Sequence, residues 1–319
     1  MSARLIRTLQ RVLTGLCLLA LSLASANAAA QSRITVLITA PTPASAEFID
    51  RLKNELEPVG GLSLKVVTED MLSSDPDAVP EDSLVIAVGI QALLQASKLD
   101  LKRSVLGVLV PQPSFDRVLV DSKRNPRNFS AVFLDQPYPR QIALVKAILP
   151  GATSLGVLFG PTSLSSSYLL QQAAQAARLG LAQENIYGAD ELVPKLRRAL
   201  ENSPVLLAVP DPLVYNRETA QSVLLTSYRY QKPVIGFSQA YVRAGALAGV
   251  FSTPQQIARQ TAEVVRQYLN KPQAGLPPPQ APKYFSVDVN HQVARSLGLE
   301  IGDENALSDT LLRMERPLP

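Results

Sequence analysis

Six short segments stand where side chains could do chemistry: Thr39-Ala40-Pro41-Thr42, Gly89-Ile90-Gln91, Pro111-Gln112-Pro113-Ser114, Gly160-Pro161-Thr162-Ser163, Pro210-Asp211-Pro212 and Ser238-Gln239-Ala240-Tyr241. Each follows an apolar run and leads into a stretch of helical period. Loops that open onto helix N-termini offer backbone N–H groups and the positive end of a dipole to an anionic group, which suits a small ligand with a carboxylate. Taken singly, each Ser or Thr is equally an ordinary N-cap or turn residue. Asp211 stands apart: it directly follows the apolar run Val205 to Val209 and lies between two prolines. A carboxylate held so rigidly at a cleft mouth can pair with a ligand ammonium or hydroxyl, or it can cap the helix that begins near Asn216. Tyr215, Phe237 and Tyr241 are placed to wall such a site.

Enzyme signatures are sparse. The chain has no G-x-x-x-x-G-K-[ST] and no G-x-G-x-x-G, so a phosphate-cradling nucleotide loop has no support. With one His and one Cys, a metal site would have to be built from carboxylates. Asp75-Pro76-Asp77 with Glu81-Asp82 fails as a calcium loop because Val79 and Pro80 stand where Asp/Asn and Gly are needed. Gly236-Phe237-Ser238-Gln239-Ala240 approximates the G-x-S-x-G of a Ser-dependent hydrolase, with Asp288 and His291 following in acid-then-base order. That elbow requires a helix to start immediately after the Ser, whereas the pattern here places the next helix at Pro254. No catalysis and no cofactor are expected.

The elements that must position these loops follow from periodicity. Ile34 to Ile38, Leu64 to Val67, Leu84 to Val88, Val105 to Val110, Ala131 to Leu134, Leu155 to Phe159, Val205 to Val209 and Val234 to Phe237 are short runs rich in β-branched residues, as fully buried parallel strands require. Helical patterns lie between them: one with Phe48, Ile49, Leu52 and Leu56 on a single face, others near 90–97, 138–149, 165–179, 191–202, 217–231 and 254–270. Thr253-Pro254-Gln255-Gln256 supplies an N-cap, a Pro at the first helical position and a capping-box Gln. Strict β/α alternation implies parallel sheets with helices on both faces, and the strand count implies two lobes. Asp135-Gln136-Pro137 is the expected first crossing between them. Five prolines within 271–282 make that stretch an extended connector.

Composition limits the partners. The chain has 319 residues, 46% of them hydrophobic, with 31 Lys+Arg against 27 Asp+Glu. Three of those bases, Arg4, Arg7 and Arg11, precede an apolar run from Val12 to Ala24 and the small-residue tract Ala26-Asn27-Ala28-Ala29-Ala30. This order marks residues 1–28 as a secretory signal peptide, too short in its apolar part to span a bilayer. Without it the basic excess nearly vanishes, so nucleic acid is not an expected partner. The remaining chain has no Cys, because Cys17 lies in the apolar run, and it suits an oxidising compartment such as the periplasm.

Pro233-Val234-Ile235-Gly236-Phe237-Ser238, continuing through Gly245-Ala246-Leu247 to Ile257 and Gln260, resembles the substrate-binding proteins of ATP-binding-cassette (ABC) uptake systems. The branch it resembles is that of type I periplasmic binders related to aromatic amino-acid receptors. Leu149-Pro150-Gly151 before Leu155 to Phe159, the strand ending in Pro210-Asp211, and Val289-Asn290 before Ala294 to Leu299 add to the likeness. The resemblance implies an α/β fold of two Rossmann-like lobes with parallel sheets, one formed by 32–135 plus 243–272 and the other by 136–242 plus 273–319. It further implies that Asp211 faces the ligand, often its amino group, and that Gly89-Ile90 and Ser165-Ser166 hold the other end. The full candidate set is Thr39, Thr42, Gly89, Ile90, Pro111, Ser114, Gly160, Ser165, Ser166, Asp211, Tyr215, Phe237 and Ser238. The sequence departs from the family pattern at Gly160 to Ser166, where an Asn-Pro-x-Glu-x-Asn-Ser run is usual, and at Pro111 to Phe115. The expected protein is a monomeric periplasmic binder that closes on a small polar ligand, amino-acid-like or a small carboxylate, for the membrane permease of an ABC importer. A ligand-sensing module for a signalling partner would have the same fold.

Overall fold

The computed structural model describes residues 32–315, so the signal-peptide expectation and Cys17 lie outside the described residues. The first sheet contains β1 (Ser32–Ile38), β2 (Leu62–Thr68), β3 (Leu84–Val88), β4 (Val105–Val110) and β5 (Phe129–Phe133), with α1 (Pro43–Leu56), α2 (Glu69–Ser74), α3 (Ile90–Ser97) and α4 (Gln112–Ser122) between them. Its order is β2-β1-β3-β4-β5, and every pairing is parallel. The continuous apolar runs are explained by burial from both sides. Ile34, Val36 and Ile38 pack with Phe48 and Leu52 of α1, while Leu37 on the opposite face joins Leu93 of α3 and Phe115 of α4.

The second sheet holds β6 (Ser154–Phe159), β7 (Gly180–Asn185), β8 (Leu206–Leu207), β9 (Val234–Gly236), β10 (Ala248–Phe251) and β11 (Ser286–Val289). Around it lie α5 (Tyr138–Ile148), α6 (Ser167–Ala176), α7 (Leu192–Glu201), α8 (Arg217–Arg229), α9 (Gln239–Ala244), α11 (His291–Ser296) and α12 (Glu304–Glu315); α10 (Pro254–Asn270) returns to the first sheet. The order β11-β10-β9-β8-β6-β7 repeats the winding of the first sheet, with one addition: β11 runs antiparallel to β10. That strand corrects the expectation of purely parallel sheets. Strands β7, β10 and β11 and helices α2, α4, α9 and α12 are additional to the elements expected from periodicity.

The division between the sheets also differs from the one expected. Strand β10 pairs with β9, so 243–251 belongs with the second sheet and the chain returns only at Ser252 and Thr253. Helix α10 then packs Ile257, Val264 and Val265 into the first core. The Pro-rich connector stays on the first sheet: Leu276 N–H donates to Arg127 O (2.8 Å), Gln280 N–H to Ala131 O (2.8 Å) and Phe133 N–H to Gln280 O (2.9 Å). Prolines cannot donate to a ladder, so this stretch borders β5 through its few non-proline residues.

Three crossings therefore join the sheets, at 134–137, 252–253 and 281–285, and side chains bind them together. Gln136 Nε2 donates to Ser252 Oγ (2.8 Å), whose hydroxyl donates to Tyr284 O (2.5 Å). Arg140, 5% exposed, donates to Gln136 Oε1 (2.7 Å) and Pro282 O (2.8 Å), and its guanidinium grips the Glu315 carboxylate in two-pronged fashion while lying 4.1 Å from the Phe285 ring centroid. Replacing Arg140 by Leu leaves Gln136 and Glu315 without their donor. This variant should lose about 3 to 5 kcal/mol in denaturant unfolding, and Arg140→Lys should recover only part of it because Lys lacks the planar fork.

Candidate functional site

The loops that follow the strands of both sheets meet at a cavity of about 730 Å³, a volume suited to a small organic molecule. The first sheet contributes Ile90 from the start of α3, Pro111 to Ser114 from the start of α4, and Asp135 after β5; the second contributes Thr162, Ser163, Ser166, Asp211, Tyr215 and Phe237. The segment read from sequence as the loop Pro111-Gln112-Pro113-Ser114 is the first turn of α4, with Pro111 as its N-cap. A bulge delivers it: pairing with β5 shifts between Val108 and Val110, and Leu109 between them has φ +53°. The extra residue re-aims the strand end towards the cavity.

Asp211 neither caps a helix nor stands free. Helix α8 is capped by Asn216. The Asp211 Oδ2 accepts from Thr162 N–H (3.1 Å), Ser163 N–H (2.9 Å) and the Ser163 hydroxyl (2.9 Å), while Oδ1 accepts from Leu213 N–H (2.9 Å). The carboxylate thus ties the loop after β6 to the loop after β8, leaving one Oδ1 lone pair unused. Gly160 makes this possible, since a Cβ there would lie inside van der Waals contact of the Asp211 carboxylate.

Asp135 and Tyr138 belong to the wall but were not singled out by residue type. Asp135 Oδ2 accepts from Gln112 N–H (2.5 Å) at the start of α4, and desolvation pushes its pKa up to about 6 despite that bond. Burial likewise raises the Tyr138 phenol to about 12, against the opposing effect of its contact with Ser166, and the Asp135 charge raises it further. Opposite them, Phe237 packs edge-on against Tyr215 (centroids 5.9 Å) and stacks on Tyr241 (5.3 Å), which is the second layer of this wall.

Of the sequence candidates, Ile90, Pro111, Ser114, Ser166, Asp211, Tyr215 and Phe237 line the cavity. Gly89 forms the turn into α3 with φ +87°, a conformation that favours Gly. Thr39, Thr42, Gly160, Ser165 and Ser238 lie outside the lining; Thr42 caps α1 through Ser45 N–H (3.1 Å), and Ser238 caps α9 through Tyr241 N–H (3.2 Å). A helix does begin directly after Ser238, contrary to expectation, and Gly245 at φ +129° ends it after six residues. The hydrolase arrangement still fails. Since β11 runs against β9 and β10, His291 lies at the opposite end of the sheet from Ser238, and its Nε2 is 3.0 Å from Glu304 Oε1.

The sequence pattern of the family described as ABC transporter substrate binding protein matches residues 114–310. No curated relative matches the chain in sequence. Among solved structures, similar folds include the ABC domain in complex with L-Trp from Streptococcus pneumonia (TM-score 0.61, 15% identity, covering 88% of this chain and 98% of that one). They also include the ligand-free, open form of CD0873, a substrate binding protein with adhesive properties from Clostridium difficile (0.66, 17%, 85% and 96%). A conserved domain protein from Vibrio cholerae is similar over 88% of this chain and 98% of its own (0.62, 19%).

Two outcomes follow from the carboxylates. Asp211→Ala strips the acceptor from three backbone N–H groups, so the ligand-free protein should lose roughly 3 kcal/mol in urea unfolding, and Gly160→Ala about 2; a loss below about 0.5 for Asp211→Ala would remove its structural role. For Asp135, the folded pKa lies above the unfolded value, so the native state holds the extra proton between about pH 4 and 6 and stability falls as pH rises through that window. Asp135→Asn keeps an acceptor for Gln112 and should be more stable than the parent by about 1 to 3 kcal/mol at pH 7.5, with the difference closing by pH 4.

Proposed function

The chain belongs to the ABC transporter substrate-binding protein family, and from that premise we propose that it captures a small molecule between its two sheets and presents it to the membrane permease of an ABC importer. The observation that carries this reading is the cavity of about 730 Å³ walled by strand-end loops of both sheets, over a pivot of three crossings. A ligand there touches both halves, and hinge closure around it is driven by its higher affinity for the closed arrangement. The lobes we assign are 32–134 with 253–282, and 135–252 with 283–315.

The wall favours an apolar body with one polar end. Tyr138, Tyr215 and Phe237 supply flat apolar surface, and an aromatic skeleton such as that of the L-Trp held by the pneumococcal protein is a natural filling. The protein acts outside the cytoplasmic membrane, in the periplasm, after removal of residues 1–28; the n-region arginines, apolar run and small-residue tract support this. No described helix is long and apolar enough to cross a membrane. Catalysis forms no part of the function.

A thermal-shift screen of aromatic amino acids, amines and small carboxylates should find a binder. At about 100 times its Kd that binder should add roughly 2.7 kcal/mol of stability, and small-angle scattering should register a smaller radius of gyration. Phe237→Ala should weaken it at least tenfold without unfolding the protein. Silence across the screen, with no compaction and no co-purified small molecule, would remove the reading.

A further inference from the structure

We propose that the cavity is built for a protonated amine on an apolar skeleton that carries no carboxylate, with Asp135, Gln141 and Tyr215 taking the ammonium end. The inference rests on the reading of this cavity as the ligand site and narrows it to a chemical class. Asp135 and Asp211 are the charged side chains of the lining, and among the described residues no Lys, Arg or His joins them. A ligand carboxylate would therefore face two like charges in a poorly solvated cleft without a counter-ion, whereas an ammonium meets complementary charge.

Several of the backbone donors that would ordinarily compensate a carboxylate are already used. The N–H groups of Thr162 and Ser163 are given to Asp211, and that of Gln112 to Asp135. At the start of α4, Pro113 has no N–H and Ser114 N–H donates to Pro111 O (3.1 Å); at the start of α5, Pro139 has none and Arg140 N–H donates to Pro137 O (3.0 Å). The start of α4 is thus filled by the Asp135 carboxylate and a proline, while the start of α5 keeps the Tyr138 N–H as a donor. The start of α3 at Gly89-Ile90 retains free donors, and it is where an amino-acid carboxylate would have to sit if this inference is wrong.

Buried atoms without partners point the same way. Gln141, 4% exposed, donates Nε2 to Gln136 O (2.8 Å), which fixes its amide so that Oε1 is an acceptor, and that oxygen has no partner. The hydroxyl of Tyr215, 8% exposed, also has none. Both residues line the cavity. A buried acceptor left unpaired is costly, and a ligand ammonium that reached Gln141 Oε1 would relieve that cost while donating its other N–H groups to the remaining lone pairs of Asp135 and Asp211.

The test uses matched triads on one skeleton, measured by titration calorimetry at pH 7.5 on the full mature chain: tryptamine, L-tryptophan and indole-3-propionate, with the phenyl and hexyl equivalents. Within at least one triad the amine should bind at least tenfold more tightly than the amino acid and the acid should not bind. Asp135→Asn should weaken the amine at least tenfold, and Gln141→Leu should weaken it too at a temperature where that variant remains folded, since the change also removes the donor to Gln136 O. An amino acid or acid that binds as tightly as its amine overturns the inference and leaves the binding-protein reading standing. Silence of every amine overturns it as well, and if sugars and small carboxylates are then silent too, the binding-protein reading falls with it. Unchanged amine affinity in Asp135→Asn also overturns it.

Discussion

Four buried clusters, two on each sheet, are joined across the crossings by a short chain of polar contacts, and the remaining behaviour of the molecule depends on that chain. Gln136, Ser252 and the carbonyl of Tyr284 link the three crossings in sequence, and Arg140 holds the third crossing a second time and adds the C-terminal helix. Each sheet buries both of its faces with its own helices, so rotating one against the other changes little apolar burial. What the pivot must preserve is its hydrogen bonding, because a buried network left half satisfied is worse than an apolar contact. The pivot is thereby specified in detail by its hydrogen bonds.

The same polar logic shapes the cleft. Its wall contains six prolines, Pro111, Pro113, Pro137, Pro139, Pro210 and Pro212, set at the strand-to-helix turns. Each fixes φ and removes a donor, so the turns are stiff and poor in N–H groups. Of the donors that remain, those of Gln112 and Thr162-Ser163 are taken by carboxylates of the protein, and those at the start of α3 are left free. Rigidity and donor depletion arise from one choice of residue type, and together they turn the strand-end loops, which by position suit anions, into an acceptor-rich surface.

How much of this was readable in the sequence varied with the kind of information involved. Buried parallel strands announce themselves, since burial on both faces demands an unbroken apolar run; Leu84 to Val88 and Val105 to Val110 were delimited to the residue, as was α10 by its capping box. Strand β7, Gly-Leu-Ala-Gln-Glu-Asn, was silent because an edge strand needs apolar groups on neither face in full. Strand β10, with small residues at its start, was hidden because its Gly249 lies close against the Gly236 carbonyl, a packing requirement that resembles a loop in composition. Asp211 could be picked out by its flanking prolines, but the loop it binds is 48 and 49 residues away, and no local pattern encodes that pairing. Asp135 was legible only as a crossing, because its chemistry comes from burial that the folded chain supplies.

The order of strands explains which candidates reach the cavity. In the first sheet the crossings lie beside β5, at one edge; in the second they lie beside β10 and β11, again at one edge. The hinge is therefore one-sided. The loop after β1, with Thr39 and Thr42, is three strands from the pivot edge, exposed and outside the lining, while the loops after β4 and β5 lie next to that edge and form the wall. In a rotation about such a hinge, displacement grows with distance from the pivot. If the proposed closure takes place about this edge, Asp135 and Gln141, close to it, would keep nearly the same place throughout, whereas residues farther from it would be the ones that move onto the ligand or the other half.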